Sequence, residues 1–158
     1  MAEKAGASEF LKSQGVVIPK NTRVRCEEMT EEIETQLRRI IPLAWCRNSS
    51  MSPSDWSSDN PAIGQCGPTS CVLQDYLGGN ILYCVVKLPC GNDVSHYCNQ
   101  INGKIVDRTG SQFESDSRIV TLVERRDSFL SNRELILNLG EGSKRYEILK
   151  KRVDQLFR

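Results

Sequence analysis

The first sustained pattern of apolar positions along the chain has helical spacing. Thr30 is a favoured N-cap, and Glu31 and Glu32 place negative charge at a helix start, where the helix dipole favours it. Four apolar residues then recur at helical intervals: Ile33, Leu37, Ile40 and Ala44. The pattern predicts an amphipathic helix over residues 30–41 that packs one face on the core.

Two segments have no such period. Residues 1–25 are rich in Ala, Ser, Gly and Lys, which predicts a flexible N-terminal arm ahead of a single domain over residues 26–158. Residues 48–61 are dense in Ser, Asp, Asn and Pro, which predicts a long surface loop. We expect Trp56 to pin this loop to the body of the protein, because a bare loop of that length is uncommon.

A second helix is predicted over residues 64–79. Gly64 frees the entry turn, and Pro68 suits the first helical turn, where its missing N–H costs nothing. Leu73 and Leu77 lie one turn apart on a largely apolar surface, and a Gly-Gly pair ends the segment. The helix should therefore be mostly buried.

The middle of the chain changes to strand-like patterns. Four segments rich in β-forming residues are predicted strands: residues 81–88, 94–101, 104–109 and 117–124. Asn102-Gly103 lies between the second and third of them and is the strongest short signal for a β-hairpin turn.

Residues 129–139 are ambiguous, whereas the end of the chain is clearly helical. From Ser143 onwards, four apolar residues lie on one helix face: Tyr146, Leu149, Val153 and Leu156. Helices in the first half, an antiparallel sheet and a C-terminal helix predict an α+β fold, with the second helix packed on the sheet.

Composition sets limits on function. The chain has 158 residues, 26% charged and 39% hydrophobic, which is ordinary for one globular domain. A net charge of +1 argues against a nucleic-acid partner, because binding phosphates requires a concentrated basic surface. We expect no membrane span and no signal peptide, since the longest apolar run near the N-terminus is only Val16-Val17-Ile18. These observations predict a cytoplasmic protein of undetermined oligomeric state.

The seven cysteines are expected to be reduced thiols. No Cys-x-x-Cys pair is present and there is one histidine, so no metal site is expected. A phosphate-binding glycine loop is absent too, and no cofactor is expected.

The single histidine, His96, is the only candidate for proton transfer by an imidazole near neutral pH. Cys66 lies at the start of the second predicted helix, where free N–H groups and the dipole favour a reactive thiolate. The same N–H groups can donate to a developing oxyanion, and the Gln65 side-chain amide is a candidate supporting group.

The hairpin supplies a third candidate. If Asn102-Gly103 form the turn, Ile101 faces Lys104, Cys98 faces Asp107 and His96 faces Thr109. His96 and Asp107 then project from the same face as diagonal neighbours. The order Cys66, His96, Asp107 therefore predicts a nucleophile, its base and the carboxylate that orients the base.

Each of these residues also has a simpler interpretation. Cys66 could be a small core residue, His96 a hydrogen-bonded strand residue, and Asp107 a turn residue. A non-enzymatic interaction module and, less favoured, a thiol-redox or metal-responsive protein remain alternatives.

Several motifs together resemble the YunG-like family over residues 45–157. They are NPAIGQC at 60–66, LQDYLGG at 73–79, SHY at 95–97 with Asn99, VDRT at 106–109 with Gln112-Phe113, and RYEIL at 145–149. The resemblance implies a compact papain-like domain, similar to transglutaminase-like and NlpC/P60-like domains. It also implies a cysteine-dependent hydrolase or acyl transferase with Cys66, His96 and Asp107 as its triad, acting on a peptide, amide or small-molecule substrate.

Overall fold

Helix α1 (Lys20–Ala44) begins earlier than the sequence pattern predicts. The structure, a computed structural model, describes residues 20–126 and 129–157, with the backbone alone for 20–28. Residues 20–25 are thus helical rather than part of a flexible arm, and the rest of the predicted arm, 1–19, lies outside the described residues. The reason is that residues 20–29 contain no Gly or Pro and several good helix formers, so a helix nucleated further along extends through them.

The end of α1 is fixed to the second helix. Leu37, Ile41 and Ala44 are fully buried there, and the adjacent Trp45 donates its indole N–H to Thr69 Oγ1 at 3.0 Å. This buried hydrogen bond satisfies a polar atom that would otherwise destabilise the core.

The predicted loop at 48–61 consists of turns. A 3₁₀ turn (Arg47–Ser49) forms its start, and an isolated bridge joins Ser57 and Asn60. Trp56 donates to the carbonyl of Pro61 at 3.0 Å, so it fastens the loop to its own end. The predicted long loop is therefore a series of short turns held by local bonds.

Helix α2 (Cys66–Leu77) confirms the second predicted helix. Eight of its residues are buried: Gly67, Pro68, Thr69, Ser70, Cys71, Val72, Leu73 and Leu77. Gly78 follows as the C-cap with φ of 70°, a conformation that glycine adopts without strain. With buried side chains around much of its circumference, α2 is the central helix of the fold.

Four antiparallel strands form the sheet, in the order β3-β2-β1-β4. Their bounds are β1 (Asn80–Lys87), β2 (Asp93–Ile101), β3 (Lys104–Val106) and β4 (Arg118–Val123). Asn102 and Gly103 both have positive φ, 55° and 75°, as a two-residue hairpin turn of this type requires. The pairing of Ile101 with Lys104 confirms the predicted register.

Two further helices complete the α+β architecture. The ambiguous segment contains α3 (Asn132–Asn138), whose N-cap Ser131 and Glu134 form a reciprocal capping box. Helix α4 (Gly142–Leu156) confirms the C-terminal helix, and Leu149 and Val153 are its fully buried residues. Buried residues of α1, α2 and α4, together with Ile101 of β2, form the main hydrophobic core. None of the described helices is long and apolar enough to cross a membrane.

Candidate functional site

The centre of the candidate site is the contact between His96 and Asp107. The imidazole Nε2–H donates to Asp107 Oδ2 at 2.8 Å, and the His96 side chain is completely buried. The other oxygen of Asp107, Oδ1, accepts from the backbone N–H of Thr109 at 3.2 Å. The carboxylate is therefore held from two sides, and the imidazole is held in one orientation.

The hairpin brings these residues together, although β3 is shorter than predicted. Its last residue is Val106, paired with Asn99, so the expected pairs of Asp107 with Cys98 and of Thr109 with His96 do not form. The reason is the Asp107 carboxylate, which bonds the backbone two residues ahead and turns the chain into a 3₁₀ turn (Gly110–Gln112). The turn leaves Asp107 as a neighbour of His96, as the register predicts.

The second ring nitrogen of His96, Nδ1, has different surroundings from Nε2. Nδ1 is buried and has no hydrogen-bond partner among the described residues. Burial lowers the His96 pKa, but the hydrogen bond to Asp107, the interaction with Cys66 and the charges of both groups outweigh burial and raise it to about 9. The imidazole is therefore protonated at neutral pH, with Asp107 on one nitrogen and the Cys66 side chain nearby.

Cys66 is the first residue of α2 and is partly exposed. Among the described residues, no hydrogen bond uses the backbone N–H of Cys66 or Gly67. The next residue, Pro68, has no N–H at all. The helix start thus offers two free donors beside the thiol, as expected for the first turn of a helix.

Gln65 has a structural role that the sequence did not reveal. Its side chain is fully buried. Its amide nitrogen donates to the carbonyl of Cys46 at 2.9 Å, and its amide oxygen accepts from Ser49 Oγ at 2.7 Å. Gln65 therefore holds the 3₁₀ turn (Arg47–Ser49) against the start of α2, and its amide is directed away from a donor role beside Cys66.

Phe113 is a residue of the site that sequence reasoning did not select. Its ring packs edge-to-face on the His96 imidazole, with ring centroids 4.9 Å apart. Asp107 and Phe113 also line a cavity of about 390 Å³ with Val86 and Ile119. The contact between Phe113 and His96 leaves no periodic pattern in the sequence, because the two residues are far apart in the chain. The remaining signal for Phe113 was its place in the motif VDRT at 106–109 with Gln112-Phe113.

Three other cysteines in the described part of the chain are fully buried. Cys84 and Cys98 are fully buried on neighbouring strands, with their Sγ atoms 2.9 Å apart. Cys71, on the same helix as Cys66, is also fully buried, and burial chiefly raises its pKa to about 12. Among the described residues, no three His, Cys, Asp or Glu side chains form a group that could hold a metal ion.

The sequence is similar to known proteins over most of its length. It is 33% identical, over 112 residues, to the uncharacterized protein YunG of Bacillus subtilis (strain 168), covering 70% of this chain and 90% of that protein. No solved structure matches the chain. The sequence profile of the YunG protein family matches residues 33–158, which include Cys66, His96 and Asp107. The chain belongs to the YunG family.

Proposed function

We propose that this protein is a cysteine-dependent hydrolase or acyl transferase of the papain-like type, with Cys66 as nucleophile, His96 as base and acid, and Asp107 as the group that orients the imidazole. The observation that carries the proposal is the buried imidazole. One of its nitrogens is bonded to a carboxylate, and the other is unpartnered and buried. A strand histidine with a purely structural role would ordinarily have both nitrogens satisfied.

In the first step, the Cys66 thiolate attacks the carbonyl carbon of an amide or peptide bond. The sulfur–carbon bond forms as the carbonyl π bond breaks, and the electron pair moves to the oxygen. The free N–H groups of Cys66 and Gly67 are placed to donate to that oxyanion. His96 then gives its proton to the leaving nitrogen as the carbon–nitrogen bond breaks, leaving a thioester on Cys66.

In the second step, a water molecule or another nucleophile attacks the thioester carbonyl. His96, now neutral, takes the proton of the incoming group, and the Cys66 thiolate leaves. Asp107 keeps the imidazole ring oriented while the charge of the ring changes. Water as the nucleophile gives hydrolysis, and an amine or alcohol gives acyl transfer.

Gln65 supports this chemistry indirectly. The two hydrogen bonds of its side-chain amide join the 3₁₀ turn (Arg47–Ser49) to the residue that precedes Cys66. A nucleophile must be held within a fraction of an ångström of its working position, and a fixed helix start provides that constraint. We therefore assign Gln65 the role of positioning Cys66.

Alkylation by iodoacetamide tests the nucleophile directly. At about pH 6 we expect Cys66 to be labelled at least tenfold faster than Cys90, which is exposed and serves as an internal reference. Peptide mass mapping identifies the labelled residue. With His96→Gln the labelling rate of Cys66 should fall to that of Cys90. An unreactive Cys66 would favour the alternative, an interaction module that uses the three residues for packing.

Turnover tests the reaction itself. Purified protein should hydrolyse or transfer at least one member of a panel of peptide, amide and thioester substrates. Cys66→Ala and His96→Ala should each abolish that activity, whereas Cys90→Ala should retain it. An activity that survives both of the first two substitutions would refute the proposed mechanism.

A further inference from the structure

Strand β4 is an exposed edge of the sheet. Among the strands of the described residues it pairs with β1 alone, and all six of its residues are exposed. Four of them are large and apolar: Ile119, 37% exposed, Val120, 45%, Leu122, 43%, and Val123, 37%. Proteins usually shield such an edge, because its unpaired backbone groups can bind another strand.

The sequence of β4 and the following residue is complementary to itself. The seven residues read Arg-Ile-Val-Thr-Leu-Val-Glu, with Thr121 at the centre. If a second copy pairs antiparallel about that centre, Arg118 faces Glu124, Ile119 faces Val123, and Val120 faces Leu122. Opposite charges and apolar pairs at facing positions are the contacts that stabilise neighbouring strands.

The two charged residues select this register. Arg118 and Glu124 are both exposed, and neither takes part in an ion pair among the described residues. A shift of one residue in one direction would place Arg118 opposite Arg125, and a shift in the other would place it opposite Val123. Only the pairing centred on Thr121 brings Arg118 opposite Glu124 at both ends.

We propose that β4 is a homodimer interface, in which the β4 strands of two copies pair antiparallel about a two-fold axis at Thr121. The pairing joins the two four-stranded sheets into one continuous sheet. Such an interface is self-complementary, so each contact occurs twice. The occupant is a second copy of this chain because the facing residues match each other in both charge and apolar character.

The interface is small, which sets its expected strength. The register of β1 with β4 shifts between Val85 and Val86, leaving an extra residue, Val120, in β4. Such a bulge adds local twist and limits how far two strands remain paired. One short strand pair lies near the lower end of specific interfaces, roughly 1,200 Å². The dimer should therefore dissociate in the micromolar range.

The opposite edge of the sheet provides a natural control. Strand β3 has only three residues, Lys104, Ile105 and Val106, and Ile105 is 46% exposed. It contains an exposed apolar residue at an edge, as β4 does, but no self-complementary sequence. A charged residue at Ile105 should therefore leave dimerisation unchanged.

Sedimentation velocity of the full chain, over a concentration series in a reducing buffer, tests the proposal. The wild-type protein should shift from monomer to dimer. Arg118→Glu and Glu124→Arg should each raise the dissociation constant at least tenfold, because both symmetric pairs then carry like charges. The double variant Arg118→Glu/Glu124→Arg should restore the dimer, and Ile105→Lys should behave as wild type.

Three results would overturn the proposal. One is a wild-type protein that stays monomeric up to millimolar concentration, which would leave β4 open to another partner's strand. The second is a dimer that neither single charge reversal weakens, and the third is a double variant that fails to recover. Circular dichroism of each variant shows that it is folded, and none of these positions belongs to the proposed triad.

Discussion

Two cysteines on helix α2 have opposite surroundings. Cys66, its first residue, is partly exposed beside two free backbone N–H groups and the His96 imidazole. Cys71, in the middle of the same helix, is fully buried, and burial raises its pKa to about 12. The same residue type is thus partly exposed near an imidazole at one position and inaccessible to solvent at the other.

The difference arises from local structure rather than from overall charge. Within the helix each N–H is bonded to a carbonyl four residues earlier, so the middle has no donor left for an anion. Arg133 does lie near Cys71, but its influence on the thiol is smaller than the effect of burial, and its guanidinium also bonds the Cys71 carbonyl. A nearby cation therefore does not activate a thiol that water cannot reach.

The prediction with the largest expected effect compares alanine substitutions of Cys66 and Cys71. Cys66→Ala should lower turnover of any substrate found for the protein by about 10³-fold or more, since it removes the attacking atom. Cys71→Ala should keep turnover within about twofold and instead lower the free energy of unfolding by about 1 kcal/mol, because it leaves a small cavity. Steady-state kinetics and urea unfolding measure the two effects. A large loss of turnover in Cys71→Ala would contradict the prediction that Cys71 takes no part in the reaction.

A second prediction concerns the charge on His96, the only imidazole in the chain. A pKa raised from 6.5 to about 9 contributes on the order of 3 kcal/mol to stability. Because the folded pKa is the higher one, this contribution is complete below about pH 6.5 and is lost as the pH rises to about 9. Asp107→Asn should remove much of it, so wild type and variant should differ more in stability at about pH 6 than at about pH 10.

Nuclear magnetic resonance can check that prediction, because a single histidine gives a single imidazole titration. The wild-type midpoint should lie near pH 9, and Asp107→Asn should lower it, since burial then acts without the carboxylate that opposes it. His96→Gln should remove the part of the pH dependence of stability that His96 contributes, in the wild-type background and in Asp107→Asn alike. A midpoint near 6.5 in the wild-type protein would contradict the assigned pairing.

The sequence was informative wherever local chemistry determines structure. Asn102-Gly103 specified a hairpin and its register, and the register made Asp107 a neighbour of His96. The capping box of Ser131 and Glu134 was also visible in the sequence and would have resolved the ambiguous segment as a helix.

Long-range contacts were not predictable in the same way. Gln65 bonds a turn 16 residues away in the chain, and Phe113 packs on His96 from a segment after the hairpin. Neither contact leaves a repeating pattern, because each depends on how whole elements pack. For the same reason, the sequence could favour Cys66 over Cys71 as a candidate nucleophile, because Cys66 lies at the start of the predicted helix. It could not predict how deeply either side chain is buried.

A third prediction compares the two ends of α2. Gln65→Ala should destabilise the protein by about 2 kcal/mol, because it removes the two hydrogen bonds that a fully buried amide makes with Ser49 Oγ and the Cys46 carbonyl. Gln74→Ala is the matched control near the other end, where the amide makes two hydrogen bonds in a partly exposed position. Its cost should be about half as large, since water can replace the lost bonds. Urea unfolding measures both, and equal costs would show that the start of the helix is not specially anchored.

The smallest expected effect tests how finely the imidazole is positioned. A Cβ at residue 110 would lie 3.1 Å from Asp107 Oδ2, the oxygen that accepts from His96. Gly110→Ala should therefore displace the carboxylate by a few tenths of an ångström, lower the His96 pKa, and slow the alkylation of Cys66 about threefold to fivefold. Ser111→Ala, at the exposed neighbouring position, should change neither quantity. If Gly110→Ala lowers the His96 pKa while the alkylation rate of Cys66 stays unchanged, then Cys66 is activated mainly by the helix start and only weakly by the imidazole.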